Sequence, residues 1–203
     1  MNHWFMQSFA EALARRDIAT LRWEFPYMRE GKPRPDRPDV AEAAVQRAWA
    51  GAAERFPELP RFAGGKSFGG RMTSRAHAAQ PLADLRGLVF VGFPLHPANG
   101  SASLGFSEPT ERTIAAAAER AEHLPRASGP MLFLQGTRDE LALLPLLRPV
   151  VANLGDRAML HEIDGADHGF HVARRTPEEV VDDLGATAAT WMIELLTRDE
   201  ARR

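Results

Sequence analysis

Two short apolar runs constrain this 203-residue chain most: Leu85 to Phe93 and Met131 to Gln135. Neither alternates with polar residues. Continuous runs of this length, the first carrying Val89 and Val91, are expected of strands buried on both faces. Helical patterns surround them. Phe5, Phe9, Ala12 and Leu13 recur at helical spacing within residues 3–16. A second helix is expected from Asp39, as its cap, to about Arg55, with Val45 and Trp49 turned inward. Further helices are expected over Gly69 to Ala79, Thr110 to His123, Leu141 to Leu154 and Pro177 to Leu196, with Pro177 suited to a first helical turn. Short strands are expected at Ile18 to Trp23, at Phe62–Ala63 and at Arg157 to Ile163. Strands alternating with helices imply an α/β fold, with a mostly parallel sheet covered by helices on both faces.

Composition limits the partners. Hydrophobic residues make up 44% and charged residues 26%, and the net charge of −2 attracts neither nucleic acid nor an anionic membrane. The basic run Arg29 to Arg37 is interleaved with prolines and reads as a solvated loop. No cysteine is present, which excludes disulfides and thiolate chemistry and fits a reducing compartment. Met1 to Arg16 lacks the pattern of a signal peptide, and no apolar stretch is long enough to span a bilayer, so a cytoplasmic protein is expected. The whole chain, residues 1–203, reads as one domain without internal repeats.

The chemistry concentrates in Gly65-Lys66-Ser67-Phe68-Gly69, a G-x-S-x-G nucleophile elbow. Such a strand-to-helix turn is so tight that small residues must flank the serine, leaving its oxygen exposed. A pentapeptide of this kind arises by chance in roughly one chain of this length in fifteen, so its context decides. Here a short strand precedes it and a helix follows, with Gly64 and Gly70 permitting close packing. A serine hydroxyl needs a base to take its proton and a third group to orient that base. Behind such an elbow the partners follow in the order serine, acid, histidine. Asp139 follows the Met131 strand and His168 follows the Arg157 strand, both at strand ends where open sheets of this kind place their ligands. Asp164, Asp167, His168 and His171 are spaced closely enough to gather a metal, but match no recognised ligand spacing. No phosphate-cradling glycine motif and no basic-aromatic interleaving is present.

Five segments carry a resemblance: Ala19 to Met28 with Pro35-Asp36-Arg37-Pro38, Gly64 to Met72 (GGKSFGGRM), Gly92 to Pro97 (GFPLHP), Leu132 to Asp139 (LFLQGTRD) and Gly165 to Val172 (GADHGFHV). Over nearly its whole length the chain resembles the α/β-hydrolase superfamily. Within it, the chain is similar to small bacterial hydrolase-like proteins akin to dienelactone hydrolases and to a subunit of an animal chromatin-acetylating complex. The resemblance implies a three-layer α/β/α-hydrolase fold without a large lid, and a catalytic triad of Ser67, Asp139 and His168. It also implies an oxyanion-hole N–H from Phe68. No metal or organic cofactor is implied. Relatives begin with a strand that ends in a His-Gly-Ala-Gly-like loop, which supplies a second oxyanion N–H. This sequence starts at the end of that loop. The expectation is therefore a fold lacking its N-terminal strand, with a start codon assigned too far downstream favoured over a true truncation.

The expected activity is hydrolysis of a small ester or related acyl substrate, with His96 as a further residue able to line the pocket. The alternatives are a catalytically silent hydrolase fold serving as an interaction module, and a metal-dependent hydrolase built on Asp164 to His171.

Overall fold

Gly92 stops β2 (Leu85–Val91), because its left-handed φ of +63° takes the chain out of the sheet. In the computed structural model, which describes residues 4–96 and 109–201, β2 is the second of four parallel strands. The others are β1 (Arg61–Lys66), β3 (Met131–Gly136) and β4 (Ala158–Ile163), in the order β1-β2-β3-β4. Seven α-helices are described with them: α1 (Trp4–Ala14), α2 (Pro26–Arg29), α3 (Pro38–Arg55), α4 (Phe68–Ala79), α5 (Glu111–Ala121), α6 (Leu144–Leu154) and α7 (Pro177–Glu200).

The central strands bury both faces, as their continuous apolar character predicts. Val89, Val91, Leu132 and Leu134 pack with Phe5, Phe9, Leu13 and Leu184 of α1 and α7. The intervening Leu88, Phe90, Met131 and Phe133 turn the other way, against Ala117 of α5 and Leu147 and Val151 of α6. Helices therefore cover both sides of the sheet, the arrangement parallel strands require. Arg16, in the turn after α1, donates to both carboxylate oxygens of Asp182 on α7 at 2.9 Å, a partly solvated pairing that adds little to the apolar contact beneath it.

Several local expectations are corrected. Ile18 to Trp23 forms no strand. Ile18 packs into the α1–α7 core, and Trp23 and Phe25 pack over α4, where Phe25 meets the Phe68 ring at 5.2 Å. Ile18 and Trp23 are thus partly covered by side-chain packing while Leu21 stays exposed, and no neighbouring strand pairs with the segment. Asp39 does not cap α3. The helix starts at Pro38, whose missing N–H costs nothing at a first helical position, and Asp39 instead accepts from Arg37 at 3.2 and 3.0 Å within the first turn. β1 is six residues long, because Gly64 and Gly65 continue the ladder opposite Val89 and Phe90. α6 begins at Leu144 because the N–H groups of Leu141 and Ala142 are directed to the Asp139 carboxylate.

Thr176 caps α7 reciprocally with Glu179, and Pro177 occupies its first turn as expected. Most of the segment between Pro94 and Pro109, at 97–108, lies outside the described residues. His96, just before it, is buried. Among the described residues no helix is long and apolar enough to cross a membrane.

Candidate active site

Ser67 stands between β1 and α4 with φ 50° and ψ −119°, a conformation that L-residues rarely adopt. Strain of this kind costs on the order of 1–3 kcal/mol and persists only where the surroundings enforce it. Here the Ser67 N–H donates to Val91 O at 2.8 Å, and Ser67 O accepts from Arg71 N at 3.2 Å. The turn is tight enough that a Cβ on Gly70 would lie 2.6 Å from Gly65 O, so the helix can approach the strand only with glycine there. The Ser67 hydroxyl makes no capping bond to α4. The Phe68 N–H belongs to the first helical residue and so has no intrahelical acceptor. It lies at the positive end of the helix dipole.

Asp139 and His168 come together from the loops after β3 and β4. His168 Nδ1 lies 2.9 Å from Asp139 Oδ1 and 2.8 Å from Oδ2. A carboxylate only accepts, so Nδ1 carries a proton and donates to Asp139. The Asp139 side chain is fully buried, whereas that of His168 is 20% exposed. Burial of the carboxylate is matched by its donors. Leu141 N and Ala142 N each donate to Oδ1 at 2.9 Å, and Gln135 Nε2 donates to Oδ2 at 3.0 Å.

The two halves meet across the end of β2. Val91 holds the Ser67 N–H, and the next residue, Gly92, lies against the Asp–His pair. A Cβ on Gly92 would stand 3.2 Å from both Asp139 Oδ2 and His168 Cε1. No hydrogen bond joins Ser67 Oγ to His168 among the described residues.

The loop after β4 distributes its polar side chains to separate partners. His168 binds Asp139, His171 Nδ1 lies 3.1 Å from Asp167 Oδ2, and Asp164 Oδ1 accepts from Thr137 Oγ1 at 3.2 Å. Burial pushes the Asp167 carboxyl upward, but the hydrogen bonds from His171 hold it below the usual range. Among the described residues no three His, Asp or Glu side chains converge as a metal site.

Three contributors were not singled out from the sequence. Gln135 closes an apolar strand run, and a buried amide there invites the question of its partners. It also donates to Ala142 O at 2.8 Å and accepts from Phe93 N at 3.2 Å. Gly92 follows the other apolar run. Lys66 sits inside the elbow pattern, where burial lowers its amine to about 8 despite the opposing pull of Asp139 and Asp167.

Residues 1–195 match the family model described as an alpha/beta hydrolase domain. Among solved structures, the chain is similar to a serine hydrolase without a lid from Xanthomonas campestris, with TM-score 0.66 and 18% identity over 96% of this chain and 74% of that one. It is also similar to an alpha-beta serine hydrolase homologue from Coxiella burnetii, with TM-score 0.65 and 19% identity over 94% and 76%. The esterase domain of a Rhodothermus marinus protein gives TM-score 0.63 and 14% identity over 92% and 78%.

Proposed function

Since the chain belongs to the α/β-hydrolase family, we propose that it is a serine hydrolase acting on a small ester or related acyl substrate. In this reading Ser67 is the nucleophile, His168 the general base and Asp139 the residue that orients it. The single observation carrying the reading is the hydrogen-bonded pair of buried Asp139 and half-buried His168, set at the end of β2 beside the strained Ser67 turn.

His168 Nε2 takes the Ser67 proton as Oγ bonds to the carbonyl carbon. The carbonyl π electrons move to oxygen, and the Phe68 N–H donates to the resulting oxyanion. Collapse breaks the bond to the leaving alcohol, which receives its proton from Nε2. Water then attacks the acyl-serine with His168 again as base, releasing the acid and restoring the Ser67 hydroxyl. Asp139 stays ionised throughout and stabilises the imidazolium. Its filled acceptor set keeps the ring from rotating between steps. No cofactor enters the sequence of steps.

Labelling with a fluorophosphonate tests this assignment. Ser67-dependent labelling, lost in Ser67→Ala, is the expected result. Absence of labelling in the folded protein overturns it. A second reading, a catalytically silent fold used as an interaction module, is favoured by the lack of a hydrogen bond between Ser67 Oγ and His168. A folded protein that takes no label and hydrolyses no ester is the outcome expected of that module.

A further inference from the structure

Lys66 immediately precedes the serine, yet its side chain reaches across the site rather than into solvent. Its Nζ donates to the backbone oxygen of His168, 102 residues away in sequence. The same ammonium lies 5.1 Å from the ring centroids of both Phe5 and Phe170, two fully buried side chains. The alternation of β1 explains the direction: Phe62 and Lys66 face the α1–α7 core, whereas Ala63 faces α4. A cation among aromatic rings gains some cation–π attraction. Its one hydrogen-bond acceptor among the described residues is a neutral carbonyl, which offsets little of the desolvation. Methionine, of similar length and without charge, would fill this slot without that penalty. The ammonium is therefore poorly explained by stability. Its position explains it better, because it bonds to the main chain of the histidine itself.

We propose that Lys66 is a positioning residue, its ammonium tying the nucleophile strand to the main chain of His168 and holding the imidazole in register with Ser67. This inference rests on the Ser67–His168–Asp139 reading above. Among the described residues α1 contributes the Phe5 ring to the surroundings of the ammonium. The loop after β4 contributes the Phe170 ring, His168 and the Asp167 carboxylate, and the loop after β3 contributes Asp139. The two carboxylates favour the charged form, but burial outweighs them, so the amine gives up its proton near pH 8 in the folded protein. Above that pH the bond to His168 O loses its charge assistance and the cation–π contacts vanish. The anchor then weakens.

The test compares Lys66→Met and Lys66→Arg with wild type. The readouts are the Ser67 labelling rate, p-nitrophenyl acetate hydrolysis, and the low-field proton resonance of His168 Nδ1–H, assigned with Asp139→Asn. Lys66→Met removes a charge-assisted bond altogether, so it is expected to react about tenfold more slowly at pH 7. Its low-field resonance should be broadened or shifted. Lys66→Arg keeps the charge at every accessible pH, so it should restore both readouts and lack the decline in rate that wild type shows around pH 8. Labelling within twofold of wild type together with an unchanged resonance in Lys66→Met overturns the proposal. If Lys66→Met does not fold, a wild-type pH profile that coincides with that of Lys66→Arg overturns it instead. If wild type shows no Ser67-dependent labelling, the hydrolase reading fails, and the Lys66 dependence of the resonance still decides the anchor.

Discussion

Asp139 and His168 are held by side-chain hydrogen bonds, whereas Ser67 is held by its backbone. Around Asp139 each carboxylate oxygen is occupied by donors from Gln135, Leu141, Ala142 and His168, all within 3.0 Å. Ser67 has the opposite arrangement. Its main chain sits in a strained conformation enforced by Val91 and by glycine packing, and its hydroxyl makes no capping bond. In the proposed mechanism the proton-accepting half is therefore set before substrate arrives, while the proposed nucleophile keeps rotational freedom about a fixed backbone. Catalytic hydrogen bonds in unliganded sites are often long and tighten only in the complex. Damage to the first half should follow loss of side-chain partners. Damage to the second should follow changes in backbone geometry.

This contrast can be broken at either half. The largest effect is expected from Ser67→Ala, which removes the attacking oxygen and should lower ester hydrolysis by about 10⁴-fold or more, read as steady-state rate with an active-site label as control. Asp139→Asn should come next. An amide nitrogen facing His168 Nδ1 favours the wrong tautomer, and a loss of about 10³- to 10⁴-fold in kcat is expected with little change in circular dichroism. A smaller loss lies where the two halves touch. Gly92→Ala would place a methyl 3.2 Å from Asp139 Oδ2 and His168 Cε1 at a φ of +63°, displacing the pair. A rate loss of about tenfold is expected, since the pair need shift by only a fraction of the 1 Å displacement that costs about 100-fold. A lower melting temperature should accompany it.

The smallest effect sharpens the comparison through stability. The Lys66 amine is lowered to about 8 in the folded protein from its ordinary 10.5. Below pH 8 the folded state therefore carries the full cost of a buried charge. Between about pH 8 and 10.5 the folded protein binds fewer protons at this site than the unfolded chain, so the cost is relieved as pH rises. The stability of wild type relative to Lys66→Met, measured by urea unfolding, should increase across that window and stay flat below it. A difference that is constant from pH 7 to 10.5 would contradict the buried-amine description.

Much of this architecture is legible in the sequence. The runs Leu85 to Phe93 and Met131 to Gln135 announced strands covered on both faces, since only a doubly covered strand has no polar side to display. The order of Ser67, Asp139 and His168 relative to the strands was equally readable, because each follows a short extended segment at its C-terminal end. Ile18 to Trp23 misled for a physical reason. Its apolar residues could be buried by a sheet or by side-chain packing, and local pattern does not distinguish the two. The start of α6 was misplaced because Asp139 captures the N–H groups of Leu141 and Ala142, a tertiary demand that propensity does not contain.

The elbow shows where the boundary runs. Gly65, Ser67, Gly69 and Gly70 determine by themselves that the chain can turn sharply from strand to helix, because that requirement is local and steric. Tertiary structure alone decided that Lys66 would reach His168, that Gln135 would complete the shell of Asp139, and that Gly92 would leave room for both. These contacts join residues from separate strand ends. Nothing in the local pattern of any one segment specifies what the others place beside it.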